Sequence, residues 1–224
     1  MSLSPTIEEY LEAVYLLYSE GRPVLGARLA ELLGVSAPTV TETLKRMRRD
    51  GYLRMDRDKQ VHLTPSGQEL AETLVRRHRL SERLLTDVLG LEWHSVHAEA
   101  CRLEHAISPA VEARLVDVLA NPTTCPHGNP IPGTAAQENH IQEFPLSEAS
   151  AGQNLLVRRV SQEAELDGEL LAHLDRLGLR PGARVEVQDV LKVNGTLTIR
   201  VQDDVTTLGL SAASNLWVCT MEQE

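Results

Sequence analysis

His97, Cys101, Glu104 and His105 stand at i, i+4, i+7 and i+8 in a stretch with helical periodicity. At about 100° per residue the four fall within about a third of the helical wheel, so two imidazoles, a thiol and a carboxylate share one face. A preceding helix adds His78 and Glu82 at i and i+4, and the first helix adds Glu9 and Glu12 at i and i+3. Imidazole, thiolate and carboxylate on three neighbouring helices are the ingredients of a transition-metal site in a helical bundle. A lone His or Cys on a helix is more often packed or solvated than a ligand, and His62 and His94 are read that way. The combination is what carries the metal reading. Cys125-Pro126-His127 is also a ligand-type pair, but it lies in a Pro-rich turn with no second pair nearby, and a finger-type zinc site needs four ligands. It is read as loop structure.

The elements that must position these groups follow from local pattern. Ser4-Pro5-Thr6 and the acids after it open a helix carrying Tyr10, Leu11, Val14 and Leu17 at helical spacing and ending near Gly21. A short helix from Ala27 to Leu33 stops at Gly34, and Val35-Ser36-Ala37-Pro38 opens a third that runs to about Asp50. Helix, Gly-containing turn, helix is the helix-turn-helix plan. Two short strands, residues 52–55 and 61–63, around a charged tip predict a wing. A long helix is expected from Thr64-Pro65-Ser66-Gly67 to about Leu89, then helices from about His94 to Ile107 and Ser108 to Ala120. Residues 121–152, rich in Pro, Gly, Asn, Thr and Ser, read as a linker. Beyond them, short strands near 155–157, 184–190, 196–201, 205–210 and 216–219, with a helix near 163–177, predict a small β-barrel with a helical insert.

In a helix-turn-helix the second helix reaches base edges from its N-terminal end, while basic groups around it hold phosphates. Ser36, Pro38, Thr39, Thr41 and Glu42 occupy the reading positions, and Glu42 is suited to accept from a cytosine amino group. Lys45, Arg46, Arg48 and Arg49, with Arg28 before them and Arg57 and Lys59 at the wing tip, are the expected phosphate contacts. The net charge of −10 conceals this: residues 22–59 hold nine Lys or Arg against five Asp or Glu, whereas residues 81–224 hold ten against twenty-one. The basic footprint is local.

Only 3% of the chain is aromatic, so an aliphatic core is expected. No apolar run approaches the roughly 20 residues that span a bilayer, and the N-terminus has no basic region followed by an apolar one. A cytoplasmic protein without a membrane partner is expected. Three scattered cysteines do not make a disulfide framework, which leaves the thiols available as ligands. No nucleophile turn or phosphate-binding Gly loop is present, and neither enzymatic activity nor a small organic substrate is expected. Two rivals stay open on these residues alone: a metalloenzyme with a helix-turn-helix appendage, and a winged-helix sensor of an organic ligand.

The motifs quoted above, together with Glu9-Tyr10-Leu11, Pro38-Thr39-Val40, Arg49-Asp50-Gly51, the run His78–Leu85, the run His97–His105 and Gly128–Gly133, resemble the DtxR/MntR family of iron- and manganese-dependent repressors. The resemblance covers essentially the whole first domain, and Gly128–Gly133 matches the family's linker motif. It implies an α+β chain with a winged helix-turn-helix at 1–72, a helical metal-binding and dimerisation domain at 73–140, a linker at 141–152 and an SH3-like, FeoA-like domain at 153–224. By resemblance, Cys101, Glu104 and His105 match the primary, activating site. Glu9 falls where the iron repressor has a Met and the manganese repressor a carboxylate, and Glu12 corresponds to a carboxylate ligand of the manganese type. His78, Glu82 and His97 match an ancillary site whose remaining ligands come from the C-terminal domain, with Asp167 the best candidate and Glu169 next. The expected protein is a homodimer that represses from a double-stranded DNA operator, with two metal sites per subunit. The hard oxygens of Glu9 and Glu12 favour Mn(II), and the Cys101 thiolate is the argument for Fe(II).

Overall fold

The computed structural model describes residues 4–137 and 142–221. They divide into two compact units, Met1–His78 with Glu104–Ile107, and Arg79–Leu103 with Ser108–Glu224.

The first unit opens with α1 (Pro5–Ser19), whose initial Pro has the φ a first helical turn needs. It buries Ile7, Tyr10, Leu11, Val14 and Leu17. Helix α2 (Gly26–Leu33) stops at Gly34, which takes the left-handed conformation at φ 63°. Helix α3 (Ala37–Arg49) is capped by Ser36, whose hydroxyl accepts from the Thr39 amide. Its buried stripe of Val40, Leu44 and Met47 enters the same core as Leu11, Val14 and Leu29. Strands β1 (Leu53–Met55) and β2 (Val61–Leu63) pair antiparallel with Leu53 opposite Leu63 and Met55 opposite Val61.

The wing tip is held by one carboxylate: Asp56 Oδ1 accepts from the amides of Asp58 and Gln60, both at 2.9 Å, and Oδ2 lies 2.8 Å from His62 Nε2. Helix α4 (Pro65–Arg83) begins at the wing's root. A Cβ on Gly67 would lie 2.0 Å from the Tyr52 carbonyl oxygen, so the two backbones meet there without room for a side chain.

In the second unit the chain continues from α4 through a π-helical turn, Leu84–Val88. Helix α5 (Val96–Leu103) is shorter at both ends than its expected span, because Glu104–Ala106 tightens into a 3-10 turn. Helix α6 (Pro109–Val118) follows, capped by Ser108. Then come β3 (Phe144–Pro145), β4 (Asn154–Val160), α7 (Gln162–Glu165), α8 (Gly168–Arg176), β5 (Arg184–Leu191), β6 (Thr196–Val201), β7 (Asp204–Gly209), α9 (Leu210–Ala213) and β8 (Leu216–Thr220). Among the described residues the strands form one antiparallel sheet in the order β3-β8-β4-β5-β6-β7. Leu155, Val157, Val187, Ile199 and Val218 build its core with Leu171 and Leu174 of α8.

The stretch expected as linker is partly structural. Cys125, His127, Asn129 and Ile131 are buried in tight turns, β3 pairs with Trp217 and Val218, and Leu146 is fully buried. A two-residue strand has no periodicity to betray it. The expected boundary between residues 140 and 141 lies outside the described residues.

Candidate metal centres

The first unit gathers Glu12, His78 and Glu104, with one donor atom from each within 4.8 Å of the others. His78 Nδ1 lies 2.6 Å from Glu104 Oε2 and 3.9 Å from Glu12 Oε1. Glu104 is 1% exposed and His78 4%. His105 stands beside them, its Nε2 3.4 Å from Glu104 Oε1 and its Nδ1 2.6 Å from Glu8 Oε2. Two carboxylates crowded against imidazoles out of water form an arrangement that a divalent cation fits, since it would neutralise the acids and accept the ring nitrogens.

This grouping differs from the expected one at three points. Cys101, expected beside Glu104 and His105, is not among its members and has its Sγ 3.6 Å from His97 Nε2. Glu9 is exposed, and the α1 carboxylate bonded to His105 is Glu8. Glu8 and Glu12 are one turn apart on α1, a spacing that brings both to one side. His78, expected in the ancillary set, is bonded to Glu104.

A second constellation lies in the second unit, where Glu82, Cys125, His127 and Glu165 are all buried with donor atoms within 4.8 Å. His127 Nε2 lies 3.1 Å from the Trp93 carbonyl, so that nitrogen carries the hydrogen and donates it. The ring is thereby fixed with Nδ1 3.3 Å from Glu82 Oε1 and 3.7 Å from Glu165 Oε1. Burial alone would lower the His127 pKa, but Glu82, Cys125 and Glu165 hold it well above the ordinary imidazole value. Burial, and then the Glu82 charge, push both the Cys125 thiol and the Glu165 carboxyl up. A buried thiol, an imidazole and two carboxylates facing one another fit a transition metal, which would take the place of their protons.

The turn that carries Cys125 and His127 is built for close approach. Gly128 adopts φ 88°, and a Cβ there would lie 2.1 Å from the Arg158 carbonyl oxygen. The Val160 amide donates to the His127 carbonyl at 2.9 Å, and Asn129 Nδ2 donates to Val160 O and Glu165 Oε1. Arg83 holds the near side by donating to the carbonyls of Thr124 and Cys125. Cys125 and His127 lie in a turn, as expected, and the structure adds two buried carboxylates beside them. Their partners Glu82 and Glu165 are remote in sequence, and a search for a nearby second pair misses them.

Asp167, expected in the ancillary set, is not among these residues. It is exposed, and its carboxylate accepts from the amides of Glu169 and Leu170 as the N-cap of α8. Glu169 is exposed as well, and Glu165 is the acid of this segment that turns inward. His97 Nδ1 lies 3.6 Å from Glu82 Oε1, and His97 Nε2 lies 3.6 Å from Cys101 Sγ.

The DNA-reading candidates are exposed on α3 and the wing: Ser36, Pro38, Thr39, Thr41, Glu42, Lys45, Arg46, Arg49, Arg57 and Lys59, with Arg28 half-buried. Several of the cations already face acids, Arg28 with Glu31, Lys45 with Glu42, and Arg46 and Arg49 with Asp50.

Residues 2–61 match the family profile described as the iron dependent repressor N-terminal DNA binding domain, and residues 64–133 match its metal binding and dimerisation domain. Residues 144–219 match the FeoA domain. The iron-dependent repressor IdeR of Mycobacterium tuberculosis is 43% identical over 213 residues, covering 91% of this chain and 93% of the relative. The chain belongs to the DtxR/MntR family of metal-dependent repressors. The diphtheria toxin repressor of Corynebacterium efficiens is 41% identical over 215 residues with the same coverage. A solved manganese-dependent transcriptional repressor in complex with manganese superimposes with a TM-score of 0.85 at 31% identity, covering 96% of this chain and 100% of that one.

The repressor is thus a metal-dependent, DNA-binding regulator of a family that is regulatory and not enzymatic. Its α+β architecture, an N-terminal DNA-binding and helical part followed by a sheet domain, agrees with the sequence reading. Iron and manganese both appear among the relatives, so likeness leaves the metal open.

Proposed function

We propose that the repressor is activated by Mn(II), binds a palindromic operator in the cytoplasm as a homodimer, and holds two metal ions per subunit. The observation that carries this reading is the oxygen-rich set of Glu12, His78 and Glu104 beside Glu8 and His105, which suits a hard cation. Bound there, the cation would neutralise the carboxylates and secure α1 to residues 104 and 105. Helix α1 buries Leu11 and Val14 in the core that also takes Val40, Leu44 and Met47 of α3. The position of α1 therefore sets the angle of the reading helix. Glu82, Cys125, His127 and Glu165 are the proposed second set, and Arg83 and Asn129 orient its turn.

Dimerisation is supported by the match to the dimerisation domain and by apolar side chains left exposed around α5 and α6, among them Leu89, Leu103, Val111 and Val118. Activation by Fe(II) is the second reading, favoured by the buried Cys125 thiol and by the iron named for IdeR.

Equilibrium dialysis against Mn(II), and against Fe(II) without oxygen, tests the assignment. Two Mn(II) per chain are expected, falling to one in Glu12→Gln and to one in Glu82→Gln. Retention of Fe(II) with no retention of Mn(II) would overturn the manganese assignment, and an unchanged count in both variants would overturn the ligand sets.

A further inference from the structure

Helix α3 buries Val40, Leu44 and Met47. At about 100° per residue the opposite side of the helix is Pro38, Glu42, Lys45 and Arg49, all exposed. Glu42 lies almost diametrically across from the buried stripe, in the second turn, where a reading helix faces the base edges. The hydroxyls before it are short and bond locally. Ser36 Oγ is 2.8 Å from Thr39 Oγ1 and accepts from the Thr39 amide, Thr41 Oγ1 donates to the Ala37 carbonyl at 2.9 Å, and Pro38 has no polar group to offer. The long polar side chain at the head of the helix is an acid, Glu42.

A carboxylate on a face meant for DNA is a cost in phosphate repulsion unless it does something a neutral group would not. Two features of this helix offset that cost. Lys45 Nζ lies 2.8 Å from Glu42 Oε1, with the two side chains 62% and 74% exposed, so the carboxylate carries its own counter-ion. The major groove also offers a matching donor. An ionised carboxylate only accepts, and it is repelled by the N7 and O6 of guanine and the O4 of thymine. Adenine presents its amino group beside the N7 acceptor, whereas cytosine presents its N4 amino group with no acceptor of its own in the major groove.

We propose that Glu42, with Lys45 as its counter-ion, is a base-reading residue that selects cytosine at one position of each operator half-site. This rests on the reading of α3 as the DNA-contacting helix. Glu42→Gln keeps the size but supplies an amide, which pairs with the N6 and N7 of adenine. Glu42→Ala keeps neither.

Selection from a randomised duplex library, run in Mn(II) with the wild type, Glu42→Gln and Glu42→Ala, tests this. The wild type is expected to prefer cytosine at the position by about five- to tenfold over each other base. Glu42→Gln is expected to shift that position to adenine, and Glu42→Ala to lose preference there, with every other position unchanged in both. The unchanged positions report that the variants are folded. Identical preferences in all three proteins would overturn the inference and leave Glu42 as a surface partner of Lys45. Failure of the wild type to enrich any sequence would overturn instead the reading on which it rests.

Discussion

Glu104→Gln separates a metal ligand from a structural ion pair. Glu104 is 1% exposed and faces two imidazoles, His78 at 2.6 Å and His105 at 3.4 Å. In the metal-free protein the amide keeps the shape and still accepts from His78, while a buried charge disappears. Metal-free stability should therefore be unchanged or raised, because isolating carboxylates from water costs what the pairing returns. With metal the outcome reverses. At Mn(II) about 100 times its Kd, binding stabilises the wild type by about 2.7 kcal/mol. Groups that only support a ligand change metal affinity by about 10- to 100-fold, so loss of a direct carboxylate should weaken it about 100-fold or more.

At the same Mn(II) concentration the variant would then gain only about 0.4 kcal/mol. The difference of about 2.3 kcal/mol corresponds to a metal-induced rise in Tm smaller by about 5–9 °C for a chain of this size. Paired thermal melts with Mn(II) and with chelator read both quantities. An equal metal-induced rise in wild type and variant would refute the placement of metal on Glu104. A large fall in the metal-free Tm would show that the His78–Glu104 pair is structural.

Substituting Co(II) should give a sulfur-to-cobalt charge-transfer band that Cys125→Ser abolishes; its persistence in that variant would remove Cys125 from the second set. Gly67→Ala drives a methyl group to 2.0 Å from a backbone oxygen, so urea unfolding should show a loss of about 3 kcal/mol or more. Gly34→Ala, with open space but φ 63°, should cost only about 1–2 kcal/mol. Hydrogen bonds from His62 and from the Gln60 and Asp58 amides hold the Asp56 carboxyl below the usual aspartate range. A depressed pKa contributes stability above the unfolded value and loses it as pH falls through the folded one. The wing amides of Asp58 and Gln60 should accordingly keep their shifts in an acid titration until below the ordinary aspartate midpoint, and an ordinary midpoint would contradict that account.

The winged helix was legible because its signals are local: Ser36 as cap, Gly34 as stop, and the Val40, Leu44 and Met47 stripe. The candidate metal residues cluster differently from the grouping that helical spacing suggests. A helical wheel puts His97 through His105 on one face, yet the α-helix ends at Leu103 and the following turn winds more tightly, so the wheel does not extend to Glu104 and His105. The choice between Glu8 and Glu9 depends on the rotation of α1 about its axis, which its core contacts decide and its spacing does not. Cys125 and His127 looked like loop because the strand and helix that bring Glu165 to them lie far along the chain. Asp167 is exposed as the cap of α8 for a local reason, since an Asp before Gly-Glu-Leu-Leu is an ordinary helix cap.

In the proposed mechanism the metal gates the DNA-reading helix through α1. Its most direct test is the affinity of the full-length repressor for a duplex recovered from the selection, titrated in Mn(II) and again in chelator at one salt concentration. Binding about ten- to a hundredfold tighter in Mn(II) is the predicted result, and the same affinity in both would contradict it.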